Sequence, residues 1–171
     1  MASLKSTLRA AAAAAITLLA MHAANARGPF GPLAGTWLGS GTITMPSGTQ
    51  ERLRCRVSYL VTPGGEALTQ RLLCASDSYR VDLDSNVVDQ GGIVSGTWTE
   101  MTRGAAGTMT GTVRGPVIAG TISGAGLTAS LLLVTRGRSQ SVSIRLQGSD
   151  IAGVEVAFRR AAIPEGYAEQ H

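Results

Sequence analysis

The chain has 171 residues, 4% of them aromatic and 15% charged, with a formal net charge of +4. Setting aside Lys5 and Arg9 leaves about +2, which excludes the concentrated basic face that nucleic-acid binding requires. The histidines are His22 and His171, so a histidine base or His-rich metal site has almost no material. No metal and no cofactor is expected.

The first 26 residues read as a cleaved signal peptide. Lys5 and Arg9 make a positive start, an apolar run follows from Ala10 to Met21, and Ala24-Asn25-Ala26 supplies the small residues of a cleavage site. The apolar run is too short for a stable membrane span. The rest, 27–171, fits one domain of about 145 residues in a periplasmic or secreted setting.

Beyond the cleavage site no window sustains a helical period. Glycine is frequent, Ser and Thr recur, and apolar residues mostly alternate, which predicts an all-β chain. Arg27–Pro32 reads as an irregular lead-in because Pro29 and Pro32 disfavour pairing. Strands are then expected over Leu33–Met45, Gln50–Thr62, Glu66–Ala75, Ser78–Asn86 and Ile93–Met101. Further strands are expected over Ala105–Val113, Val117–Ser123, Leu127–Thr135, Ser139–Gln147 and Ile151–Arg160, each bounded by a Gly-bearing break. The tail from Ala161 to His171 reads as loose or a short helical turn.

The Gly64–Gly65 turn centres a hairpin that pairs Cys55 with Cys74, Val57 with Leu72, Tyr59 with Gln70 and Val61 with Leu68. Because Pro63 has no N–H, a four-residue loop from Pro63 to Glu66 is expected. The cysteines fall opposite one another, and in an exported chain they read as one disulfide. Such a crosslink, closing a loop of about 20 residues, contributes roughly 3 kcal/mol by loop entropy.

Short local connections imply an up-and-down antiparallel meander of about 8–10 strands, which removes its edges by closing into a barrel. A flatter sandwich is the alternative. A small-Gly-Thr-apolar pattern recurs at Gly35, Gly41, Gly96, Gly107 and Gly120, where a barrel needs bends or close backbone approach. An outer-membrane barrel would need aromatic girdles and a lipid-facing apolar band, and the chain has neither.

Gly35-Thr36-Trp37 at the start of the first strand resembles the Gly-x-Trp signature of the calycin superfamily of lipocalin- and avidin-like barrels. Gly96-Thr97-Trp98 also resembles avidin-type strands. The resemblance implies a calycin-like barrel in which an Arg of the last strand, Arg159 or Arg160, packs across Trp37. A second, architectural resemblance is to small exported barrels that inhibit enzymes, with Arg27–Pro32 in the place of their N-terminal trunk.

An apolar lumen with a few polar groups suggests binding of a small apolar or amphipathic ligand. Trp37, Tyr59, Gln70 and Tyr79 are the candidate ligand residues. Arg52, Arg54 and Arg56 share the opposite, outer face of their strand and form a candidate partner surface, with Asp82 or Asp84 as neighbours that offset them. The alternative function is therefore an interaction or inhibitor module acting through that face or the trunk. Asp82 with Asp84 is the nearest pair for acid–base work, but the two alternate with Tyr79, Val81 and Leu83 and so face water. No catalytic role is expected.

Overall fold

The computed structural model describes residues 28–162. The signal peptide expected over 1–26 and the tail from residue 163 onward lie outside the described residues. Ten strands follow in order: β1 (Gly35–Thr44), β2 (Gln50–Val61), β3 (Ala67–Ala75), β4 (Arg80–Gln90), β5 (Ile93–Glu100), β6 (Ala105–Arg114), β7 (Val117–Gly124), β8 (Leu127–Arg136), β9 (Ser139–Gln147) and β10 (Gly153–Arg160). Each pairs antiparallel with its sequence neighbour, and β10 returns to β1 to close the barrel. Closure leaves no strand with unpaired backbone along its length, which removes the edge hazard of a long meander.

The alternation of each strand sets what faces the lumen. In β2, Leu53, Cys55, Val57 and Tyr59 are buried while Arg52, Arg54 and Arg56 are exposed. The β2–β3 ladder pairs Cys55 with Cys74, Val57 with Leu72, Tyr59 with Gln70 and Val61 with Leu68. Thr62 N–H donates to Ala67 O at 2.9 Å, which closes the four-residue loop over Pro63–Glu66. The two cysteines form the disulfide.

Two segments depart from expectation. β4 starts later and runs longer than the apolar alternation indicated, because Val87 continues inward and pairs with Gly96 on β5. The lead-in is irregular as expected, but the sequence did not show that it packs. Gly31–Leu33 is a 3-10 turn, and Phe30 and Leu33 insert into one end of the barrel as part of the main apolar core.

That end is heavily tied down. Gly28 N–H donates to Gly64 O at 2.7 Å and Phe30 N–H to Gly65 O at 3.0 Å. A side chain at Gly28 would collide with the Gly65 backbone, so the contact requires glycine at that position. Trp37 is fully buried, and its indole N–H donates to Leu33 O at 2.8 Å. Arg160 lies over the Trp37 ring, 4.4 Å from its centroid, and its guanidinium donates to Ala34 O and Pro32 O. This is the packing that the Gly-x-Trp resemblance implies, with Arg160 rather than Arg159 in the role. Burial, and then the nearby Arg138, hold the Arg160 guanidinium below its ordinary pKa.

Within the wall, glycines allow strands to approach. At Gly107 a side chain would run into Ser123 O of β7 and the Trp98 ring of β5, so glycine lets the indole lie against the sheet.

Candidate functional site

Between the sealed end and the opposite mouth the lumen holds a cavity of about 150 Å³. Its wall is contributed by β2 through β10 and is mainly aliphatic, with Leu83, Leu131, Val142, Ile144, Val154 and Val156 prominent. The disulfide forms part of it, since both cysteines face inward. The cavity exists because the chain is aromatic-poor: the side chains meeting at mid-barrel are aliphatic and do not fill the space across ten strands.

Three polar side chains break the apolar lining, Tyr59, Gln70 and Ser85, whereas Thr97 turns its side chain to the exposed outer face of β5. Tyr59 donates to Gln140 Oε1 at 3.2 Å, and Gln140 Nε2 donates to Thr135 Oγ1 at 3.1 Å. This buried relay runs from the cavity toward the sealed end and satisfies both residues. Burial pushes the Tyr59 hydroxyl well above its ordinary pKa, an effect that outweighs the Gln140 bond, so it stays a neutral donor. Gln70 and Ser85 form no side-chain hydrogen bond among the described residues. The indole N–H of Trp98, a lining residue that is 8% exposed, has no acceptor among them either.

The four candidate ligand residues are thus divided. Tyr59 and Gln70 face each other across the β2–β3 ladder and line the cavity. Trp37 lies below it, held in the sealed end. Tyr79 stands at the opposite mouth in the turn before β4, where Arg103 stacks over its ring at 5.8 Å. Burial first, and then Asp150, raise its pKa. Trp98, Ser85 and Met109 line the cavity and were not among the candidates. Their positions on alternating strands were legible, but their height along the barrel was not.

The turns at the Tyr79 mouth are organised by carboxylates. Glu51 accepts from Ser76 Oγ at 2.6 Å and Ser78 N–H at 3.0 Å, and these bonds, Ser76 first, hold its carboxyl below the usual range. Glu100 is buried and accepts backbone N–H groups of Asp82, Thr102 and Arg103 at 3.1, 3.0 and 2.8 Å. Burial raises its pKa, but those bonds outweigh it and leave it below the ordinary value.

Outside, Arg52, Arg54 and Arg56 project from β2 as expected. Asp82 and Asp84 do not offset them. Both are taken by Arg71, at 3.4 and 3.8 Å, because the β3–β4 register sets Arg71 opposite Asp84 and diagonal to Asp82. No group of three or more His, Cys, Asp or Glu is placed to hold a metal ion among the described residues.

No family model matches the chain, and no curated protein matches it in sequence. Solved structures do match in fold. One is the S-type phycobiliprotein lyase CPES from Guillardia theta, with a TM-score of 0.59 at 8% identity, covering 78% of this chain and 91% of that one. Another is Rv2717c from M. tuberculosis, with a TM-score of 0.59 at 18% identity, covering 77% of this chain and 94% of that one. At these identities the likeness establishes the barrel fold alone. It nevertheless corrects one expectation. A barrel of this fold is a lyase, so the scarcity of histidine does not license the conclusion that this chain has no catalytic role.

Proposed function

We propose that the protein is an exported, calycin-like barrel that binds a small, uncharged, mainly apolar molecule in its lumen. The observation that carries this reading is the mid-barrel cavity with its aliphatic wall and its few polar groups. A volume of about 150 Å³ accommodates one molecule on the scale of benzene. Gln70 and Ser85 offer hydrogen bonds to one or two polar atoms of such a ligand. A charged ligand fits poorly, because the lining presents no ionised side chain to compensate desolvation.

Export is supported by the signal-peptide pattern and by the disulfide, which persists in oxidising compartments. Among the described residues no helix is long and apolar enough to cross a membrane. Native mass spectrometry of protein purified from its own cell envelope tests the reading. A small-molecule adduct displaced by indole is the expected result. A bare polypeptide mass that takes up neither indole nor benzene would overturn it.

A further inference from the structure

The outer wall carries a second feature that does not depend on the lumen. Across β2, β3 and β4, Arg54, Ala75 and Arg80 lie in one cross-strand row, and Arg56, Leu73 and Asp82 lie in the next. Between the arginines the wall dips into a hollow of about 320 Å³, bordered by Arg54, Arg56 and Arg80 and floored by the outward-facing Leu73 and Ala75. The dip has a simple origin. Ala75 is a one-carbon side chain standing between two arginines, so nothing fills the space beneath the guanidinium groups.

Strand geometry sets the spacing of the three cations. Arg54 and Arg56 are about 7 Å apart along one strand, and Arg80 stands two strand spacings, about 9.5 Å, from Arg54. Extended arginine side chains reach a common point over Ala75 from such positions. The nearest carboxylates do not neutralise them, because Asp82 and Asp84 are occupied by Arg71. None of the three forms an ion pair among the described residues. Three like charges around one floor repel, and a multiply charged anion relieves that repulsion.

The geometry points to a binding site for the phosphate group of a soluble organic phosphate monoester, held by Arg54, Arg56 and Arg80 over Ala75. Donors on three sides of a floor match a tetrahedral dianion, whereas a carboxylate engages a single guanidinium fork. Leu73 in the floor contacts the organic part. The hollow lies below the arginine side chains on the curved side wall of the barrel, where a single small phosphate group reaches the floor and a flat anionic membrane surface does not.

The test is calorimetric titration of the full mature chain with phenyl phosphate in about 150 mM NaCl, where diffuse surface charge is screened. Saturable binding is expected, with benzoate at least roughly tenfold weaker. Arg80→Gln removes a charged donor and should weaken phenyl phosphate roughly tenfold or more. Ala75→Leu keeps every charge but fills the floor, and should abolish binding. Far-ultraviolet circular dichroism and an unchanged urea transition serve as the folding control for both variants, independently of the lumen. Four results each overturn the proposal: no saturable binding by the native chain, full binding by Ala75→Leu, equal affinity for benzoate, or capture only by phosphatidylglycerol vesicles.

Discussion

The two ends of the barrel solve the same problem differently. At the sealed end a segment from outside the sheet supplies Phe30 and Leu33, and Trp37 and Arg160 lock it with a hydrogen bond, a cation–π contact and two bonds to backbone carbonyls. Toward the other mouth the β9–β10 connection buries Ile151, and Ala152 N–H donates to Thr44 O at 2.8 Å, but among the described residues no segment from outside the sheet joins the main apolar core there. The wall residues stop short of one another, a cavity remains, and Glu51 and Glu100 order the turns instead. One end is closed by apolar packing, which gives stability. The other is framed by hydrogen bonds, which leaves room for a guest.

The sharpest break of this contrast is Trp37→Ala. Removing a fully buried indole, together with the face that Arg160 packs on, should cost about 3–5 kcal/mol in urea unfolding. A loss comparable to that at an exposed site would mean the sealed end is not the stability centre. Next in size is the disulfide. Cys55→Ala with Cys74→Ala should cost roughly 3 kcal/mol, read from the same transition.

Ser85→Leu acts in the opposite direction. It should fill cavity space, raise stability by about 1 kcal/mol and abolish indole uptake, since the cavity is kept at the expense of packing. Destabilisation with uptake intact would place the guest elsewhere. The smallest effect is expected at Glu100. Its carboxyl is held below the ordinary value of 4.5, so it stabilises the fold above that pH, and the contribution is lost as pH falls through its lower folded value. Glu100→Gln should flatten the acid limb of the stability profile below about pH 5 and leave indole uptake at neutral pH unchanged.

The hairpin from Glu51 to Ser76 was legible almost in full. Turn glycines, side-chain alternation and cysteine spacing all fixed the same register, and the ladder follows it from Arg54–Ala75 to Val61–Leu68. The closed ten-strand meander was legible for a related reason, since short Gly-bearing breaks permit only neighbour pairing. The plug was not. Pro29 and Pro32 correctly argue against a strand, but nothing local distinguishes a loose segment from one whose Phe30 is captured by a distant wall.

The candidate site was half legible for the same kind of reason. Period-2 alternation tells which face a residue takes, and it correctly turned Tyr59 and Gln70 inward. It does not tell height along the barrel axis, which decides that Trp98 borders the cavity while Trp37 lies under it. Height depends on the stagger accumulated around the closed sheet, a property of all ten strands together.

The central claim is that the lumen receives a small neutral guest. Its most direct test is methyl-detected NMR of the mature chain during titration with indole. Saturable shifts should concentrate on Leu131, Val142, Ile144 and Val154 and spare the methyls of Leu33 at the sealed end. Shifts confined to the outer Leu38 and Leu60, or no saturable change at any cavity methyl, would contradict it.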